Sequence, residues 1–205
     1  MRIVQVGPMG PYGNNAYVVR DVAAGASLLV DMPLETGPLL DAIAAEGGVQ
    51  QIIATHWHPD HWASYDAVRA ATGAPVHVGA AEINIAPDRV DGRLDDGAEV
   101  RVGSIRVGVI HTPGHTPGSI SLRVGSALIS GDTLFRGGPG KTFAHGDLET
   151  ILASIEGLLP LPSETQVLPG HGEPTTIALS RRGMAGYRRS PQPEGFFGDV
   201  VWPAS

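Results

Sequence analysis

Val49-Gln50-Gln51-Ile52-Ile53-Ala54-Thr55-His56-Trp57-His58-Pro59-Asp60-His61 is a short apolar run that leads directly into three histidines and an aspartate. Val49–Ala54 is rich in β-branched residues, and its length predicts a buried strand. The polar hexapeptide therefore starts where a strand ends, and that is where a scaffold places chemistry on a loop. In extended backbone, residues two apart point the same way, so His56 and His58 converge on one ion. Pro59 bends the chain and turns Asp60 and His61 toward a second ion. Imidazole and carboxylate suit zinc, iron and manganese. The competing reading is a set of solvated loop polars. So many ligand-type side chains directly behind an apolar strand argue against it.

Further along the chain, three more candidates stand in the same setting. His115 lies in His111-Thr112-Pro113-Gly114-His115-Thr116-Pro117-Gly118-Ser119, where two Pro-Gly pairs define a tight loop between strands. His111 closes the preceding strand and is assigned to the core or to support of the site. Asp132 follows Ala127-Leu128-Ile129-Ser130-Gly131. Such an aspartate is either a helix cap or a carboxylate with one oxygen for each of two cations, about 3.5–4 Å apart. His171 stands in Leu168-Pro169-Gly170-His171-Gly172, where the glycines allow close backbone approach. The ligand count then closes. His56, His58 and His115 serve one ion, Asp60, His61 and His171 serve the other, and Asp132 and a water bridge them. A position open to water distinguishes a catalytic site from a structural one.

The rest of the chain predicts the frame that brings these loops together. Strands are expected over Arg2–Val6, Ala16–Arg20, Ser27–Asp31 and Pro75–Val78, with Asn14-Asn15 and Gly25 as turns. Two hairpins follow, Glu99–Val102 with Ile105–Ile110 and Ser119–Val124 with Ala127–Ser130, and Thr165–Leu168 is a last strand. Helical spacing covers Thr36–Glu46, Trp62–Thr72, Asp147–Leu159 with Asp147 as its cap, and Thr175–Tyr187. Strands then helix, twice over, predict two sheets packed face to face with helices outside, a four-layer αββα sandwich of the α/β class. The expected organisation is one domain over 1–205, with an irregular Pro/Gly-rich surface segment over 190–205. Pro139-Gly140-Lys141-Thr142 resembles the end of a phosphate-binding loop, but the required earlier glycine is Phe135, which excludes that motif.

Composition narrows the function. The chain has 205 residues, 42% hydrophobic, enough for one sizeable core. Fourteen basic and twenty-one acidic residues give a net charge of −7, which does not fit a general nucleic-acid binder. Arg181, Arg182, Arg188 and Arg189 form the one basic cluster, expected on a solvated helix face. The absence of cysteine excludes disulfides, thiolate metal sites and a Cys nucleophile. No signal-peptide or membrane-helix pattern is present, so a cytoplasmic protein with a small-molecule substrate, no nucleic acid and no membrane is expected.

The motifs at Thr55–His61, His115, Ser130-Gly131-Asp132-Thr133-Leu134-Phe135 and Leu168–Gly172 resemble those of the metallo-β-lactamase-fold superfamily. Within it, the chain is most similar to the glyoxalase II-like hydrolases, a group named for hydroxyacylglutathione hydrolase. The resemblance implies two divalent metals, zinc first, with iron or manganese as alternatives. It also implies thioester, ester or lactone hydrolysis by a metal-bridging hydroxide, with Asp60 and Asp132 as the catalytic carboxylates. In that group a lysine after the bridging aspartate holds a carboxylate of the glutathione thioester. Lys141 in Gly137-Gly138-Pro139-Gly140-Lys141-Thr142-Phe143 inherits that role, and His145 just beyond it is a second candidate contact. Larger members carry a C-terminal helical domain, for which 205 residues leave no room. Trp57, Pro59 and Trp62 also make the first motif bulkier than usual. The alternative the resemblance offers is a single-iron, persulfide dioxygenase-like oxidoreductase using His56, His115 and Asp132.

Overall fold

The computed structural model describes residues 1–190 and 192–203. Its first sheet contains β1 (Arg2–Met9), β2 (Asn14–Asp21), β3 (Ala26–Val30), β4 (Gln51–Ile53), β5 (Val76–Gly79) and β6 (Gly92–Leu94), in sequence order. β1 to β3 pair antiparallel, and β3 to β6 pair parallel. Parallel neighbours need crossovers, and α1 (Thr36–Ala45) and α2 (Tyr65–Thr72) supply two of them. The second sheet contains β7 (Glu99–Val102), β8 (Ile105–His111), β9 (Ile120–Val124) and β10 (Ala127–Gly131). A small ribbon of β11 (Leu134–Phe135) and β12 (Gly138–Pro139) follows, then α3 (His145–Leu158). β13 (Gln166–Pro169) and β14 (Thr175–Thr176) complete the second sheet, in the order β14-β13-β10-β9-β8-β7, and α4 (Ile177–Arg189) ends the elements.

Strand alternation builds the layers, because neighbouring side chains face opposite sides. Val18, Leu29 and Ile52 face outward to Leu39, Ile43 and Val68 of the first two helices. Their neighbours Val19, Leu28 and Ile53 face inward and meet Val107, Leu122 and Ile129 of the second sheet. Leu128 and Val167 face outward again to Ile151, Ile155 and Ile177 of α3 and α4. Each fully buried aliphatic side chain contributes about 1.5–3 kcal/mol relative to exposure. The result is the αββα sandwich of the α/β class, and it brings the C-terminal ends of β4, β10 and β13 to one edge.

The structure departs from the sequence-based expectations at several points. Asn14 and Asn15 are buried strand residues of β2 instead of a turn. Helix α2 begins at Tyr65 because Trp62–Ser64 form turns. Helix α3 begins at His145 with Ala144 as its uncapped N-cap, so Asp147 lies inside the first turn and is not the cap. Thr175 pairs with Val167 in β14, and Thr176 caps α4 by accepting from the Leu179 amide at 3.3 Å. Arg181 is only partly solvated: it donates to the Leu159 and Leu161 carbonyls, tying α4 to the chain after α3. Residues 192–203 carry no helix or strand, yet they are not merely surface. Val200 and Trp202 are buried against α4, with the Trp202 ring over Gly183. Positions 191, 204 and 205 of that segment lie outside the described residues. No helix among the described residues is long and apolar enough to cross a membrane.

Candidate metal centre

All seven sequence-predicted ligand residues meet at the sheet edge. His56 and His58 follow β4, and Asp60 and His61 sit in a single 3₁₀ turn, Pro59–His61. His115 lies between β8 and β9, Asp132 directly after β10, and His171 directly after β13. His56, His58 and His115 offer ring nitrogens within 4.8 Å of one another, and so do Asp60, His61 and His171 through their ring and carboxylate atoms. Asp132 lies between the two groups. Its Oδ1 is 3.4 Å from His61 Nε2, and its Oδ2 is 3.5 Å from His115 Nε2 and 3.2 Å from His171 Nε2.

Four imidazoles are held by Nδ1, leaving Nε2 free to face the cluster. His61 Nδ1 donates to Asp31 Oδ2 at 3.0 Å. The Thr55 hydroxyl donates to the same Asp31 oxygen at 2.9 Å, so it accepts from His56 Nδ1 at 3.0 Å. His115 Nδ1 donates to the Lys141 carbonyl at 2.8 Å, and His171 Nδ1 to the Tyr12 carbonyl at 3.0 Å. An acceptor on one ring nitrogen fixes the tautomer that presents the other nitrogen's lone pair, which is the arrangement behind metal-ligating histidines.

The electrostatics divide the cluster in two. Burial holds His56 well below its ordinary value, and His61 beside it adds to the effect. Burial and the neighbouring His115 push His58 down to about 4, and burial lowers His115. These three rings are neutral donors. Burial alone would lower His61 as well, but Asp132 and Asp31 outweigh it and hold this ring well above its usual value. His171 is pushed up to about 10 because Asp132 and Asp60 outweigh its burial. Within 4 Å, the charged partners of Asp31, Asp60 and Asp132 are histidines, and no Lys or Arg among the described residues reaches them.

Two observations fit a metal. His56 Nε2, His115 Nε2 and Asp132 Oδ1 are buried without a hydrogen-bond partner among the described residues. An unmet buried polar atom costs about 1–3 kcal/mol, and a ligand atom of His115 and one of Asp132 each lie within 4.8 Å of one of His56, an arrangement that suits a cation. Gly170 supplies the second. A Cβ there would stand 2.2 Å from Asp132 Oδ1 and 2.8 Å from His61 Cε1, so only glycine lets the backbone pass this close to both residues.

The centre opens into a cavity of about 770 Å³. Lys141 lines it, and its Nζ pairs with Asp199 at 3.6 Å. His145 is not brought to this cavity: its Nδ1 meets the Phe196 carbonyl at 3.2 Å. His111 supports the loop of His115 through its ring contact with the Pro117 carbonyl at 2.8 Å. Residues that the sequence analysis read only as turn or strand complete the frame. Asn14 Nδ2 donates to Asp60 Oδ2 at 2.8 Å. Asn15 grips the His171 loop through the Pro169 and Gly172 carbonyls, at 3.1 and 2.9 Å. Asp31 holds His61 and Thr55 together. A polar pair beginning an apolar strand was the one available signal for Asn14-Asn15. Asp31 carried none, since its partner His61 is 30 positions away.

Comparison with known proteins identifies the family of the chain. The family description "Metallo-beta-lactamase superfamily" matches residues 9–171. A protein named hydroxyacylglutathione hydrolase from Fuscovulum blasticum is 40% identical over 161 residues, 77% of this chain and 62% of that protein. The chain thus spans less than two thirds of that relative's length. The crystal structure of ETHE1 from Myxococcus xanthus is 32% identical with a TM-score of 0.77, covering 89% of this chain and 82% of that one. The crystal structure of BLEG-1 B3 metallo-β-lactamase is 31% identical with the same TM-score, covering 88% and 97%. By the span of that family match, and by the motifs that carry it, this chain belongs to the metallo-β-lactamase superfamily.

Proposed function

We propose that this chain holds two divalent cations and hydrolyses a thioester or a related ester or lactone. The observation that carries the reading is the trio of buried, unpartnered acceptors on His56, His115 and Asp132. In this reading His56, His58 and His115 hold one ion, Asp60, His61 and His171 hold the other, and Asp132 serves both. Zinc, iron and manganese all suit this donor set. The second site is supported by the separation of 3.2 Å between His61 Nε2 and His171 Nε2, flanked by Asp60 and Asp132. Two imidazoles this close, with carboxylates on either side, make a well for positive charge.

Divalent cations bound here supply Lewis acidity to a carbonyl oxygen and bring the pKa of water toward 7. The chain's own residues do the rest. Asp60, fixed by Asn14, orients the attacking water. The walls of the cavity hold the acyl group over His58, His115 and Asp132. A thiolate departs without a dedicated general acid, so a thioester asks less of these residues than an amide would. The named relative from Fuscovulum blasticum supports the same chemistry.

A second reading is favoured by one feature: the three unpartnered atoms belong to two histidines and one carboxylate, a set that also suits a single iron in oxygen chemistry. Metal analysis of the purified protein, paired with two assays, separates them. Two ions per chain and thioester turnover support the hydrolase. One iron per chain with persulfide-dependent oxygen uptake overturns it.

A further inference from the structure

The wall facing the metal centre is built partly from the end of the chain. Trp202 N donates to the Gly137 carbonyl at 2.7 Å, and Thr142 N donates to the Gly198 carbonyl at 3.1 Å. Gly138 leaves the space into which the Val200 carbonyl fits. The segment between these anchors sets Asp199 against Lys141, at 3.6 Å. Lys141 is the only Lys or Arg lining the cavity among the described residues. Both side chains are largely exposed, so their pairing contributes little to stability. What it changes is the local field, because the only Lys or Arg that lines the cavity among the described residues already faces a carboxylate of the same chain.

The remainder of the wall is apolar. Tyr12, Phe143 and Val201 are 69%, 57% and 79% exposed, yet all three line this one cavity, together with Phe135, Pro139 and Val200. The Phe143 ring stands 5.8 Å from the His58 ring, and the Phe135 ring 6.0 Å from the His171 ring. Single exposed apolar residues are ordinary, but a cluster around a concave polar centre marks a ligand surface. Burying such area contributes about 25 cal/mol per Å², a term that a charged, hydrated ligand group would not gain.

We propose that this cavity selects ligands with an uncharged apolar chain, and that Asp199 disfavours carboxylate-bearing ones by occupying Lys141. The inference rests on the hydrolase reading for what happens to the ligand, and on the cavity alone for which ligand binds. Two non-hydrolysable thioethers with the same alkyl chain test it by calorimetry on the metal-loaded protein: neutral S-hexyl-N-acetylcysteamine and anionic S-hexylglutathione. The neutral probe should bind more tightly by about threefold or more, the scale of an exposed charge pair. Asp199→Asn should strengthen S-hexylglutathione by about threefold to fivefold and leave the neutral probe unchanged, with the gain shrinking in high salt. Phe143→Ser with Val201→Ser should weaken both probes about tenfold, in line with the apolar area removed, while the melting temperature stays near that of the wild type. Tighter binding of S-hexylglutathione by the wild type, no effect of Asp199→Asn, or no binding of either probe overturns the proposal. Turnover of S-hexanoyl-N-acetylcysteamine is read separately. Binding with the expected preference but no turnover would sink the hydrolase reading and leave this inference standing.

Discussion

Asp31 Oδ2 lies 3.0 Å from His61 Nδ1, and the other oxygen of the same buried carboxylate accepts the Thr55 amide at 2.7 Å. One side chain at the end of β3 thus fixes two neighbouring stretches of the metal loop. It orients His61 directly, and it orients His56 through the Thr55 hydroxyl. Asp31 does this from a backbone with φ of 63°, a conformation that aspartate and asparagine adopt more readily than most residues.

Asp31→Asn tests the relationship cleanly, because asparagine keeps the shape and tolerates the same backbone. The amide cannot hold the His61 proton as a carboxylate does. Affinity for the metal is expected to fall about 10- to 100-fold, the usual effect of removing such a supporting partner. Competition against a chelator of known affinity measures it. Wild-type affinity in the variant would show that Asp31 serves only the fold.

Asp132→Ala should cost both metals, since this carboxylate lies within 3.5 Å of ring nitrogens from both groups. Elemental analysis is expected to drop from two ions per chain to below one. Full occupancy in the variant would refute the bridging role.

Gly170→Ala adds one methyl group where no room exists, 2.2 Å from Asp132 Oδ1. Overpacking of this kind costs about 1–3 kcal/mol, which thermal unfolding will register. The displaced Asp132 and His61 should also lower metal occupancy. An alanine variant that melts near the wild type and binds metal normally would remove the backbone's close approach from the account of the site.

The candidate site residues were legible because each stands in a loop that follows a short apolar strand, a pattern readable over six to ten residues. The four layers were legible for a similar reason: alternation and helical spacing are local. What failed to show was everything decided by distant partners. Asparagine pairs favour turns, so Asn14-Asn15 read as one, but contacts with Asp60 and the His171 loop draw both into buried strand. Strands β6, β11 and β12 have three residues or fewer, too short for any period. The Pro/Gly-rich end read as surface by composition, whereas Trp202 fills the space over Gly183 and carries Val200 to the cavity wall.

Glu82 offers a test through pH. It is fully buried behind the two ligand loops, and its Oε2 accepts the Thr116 hydroxyl at 2.6 Å, one residue from His115. The amides of Trp57 and Ile83 lie beside it, and Arg93 is its nearby cation. Its Oε1 has no hydrogen-bond partner among the described residues. Burial raises this carboxyl above the ordinary range despite those donors. The folded state therefore holds the proton more tightly than the unfolded chain does. The stability this contributes is fully present below the ordinary carboxylate pKa, and it is lost as the pH rises through the elevated folded value. Glu82→Gln does not titrate and keeps an acceptor for Thr116. Relative to the wild type, the variant should gain stability as the pH climbs from acid toward neutral. Urea midpoints of both proteins across that range measure the difference. Parallel curves would mean that Glu82 does not titrate differently in the folded state, and that its link to the His115 loop carries no ionisation strain.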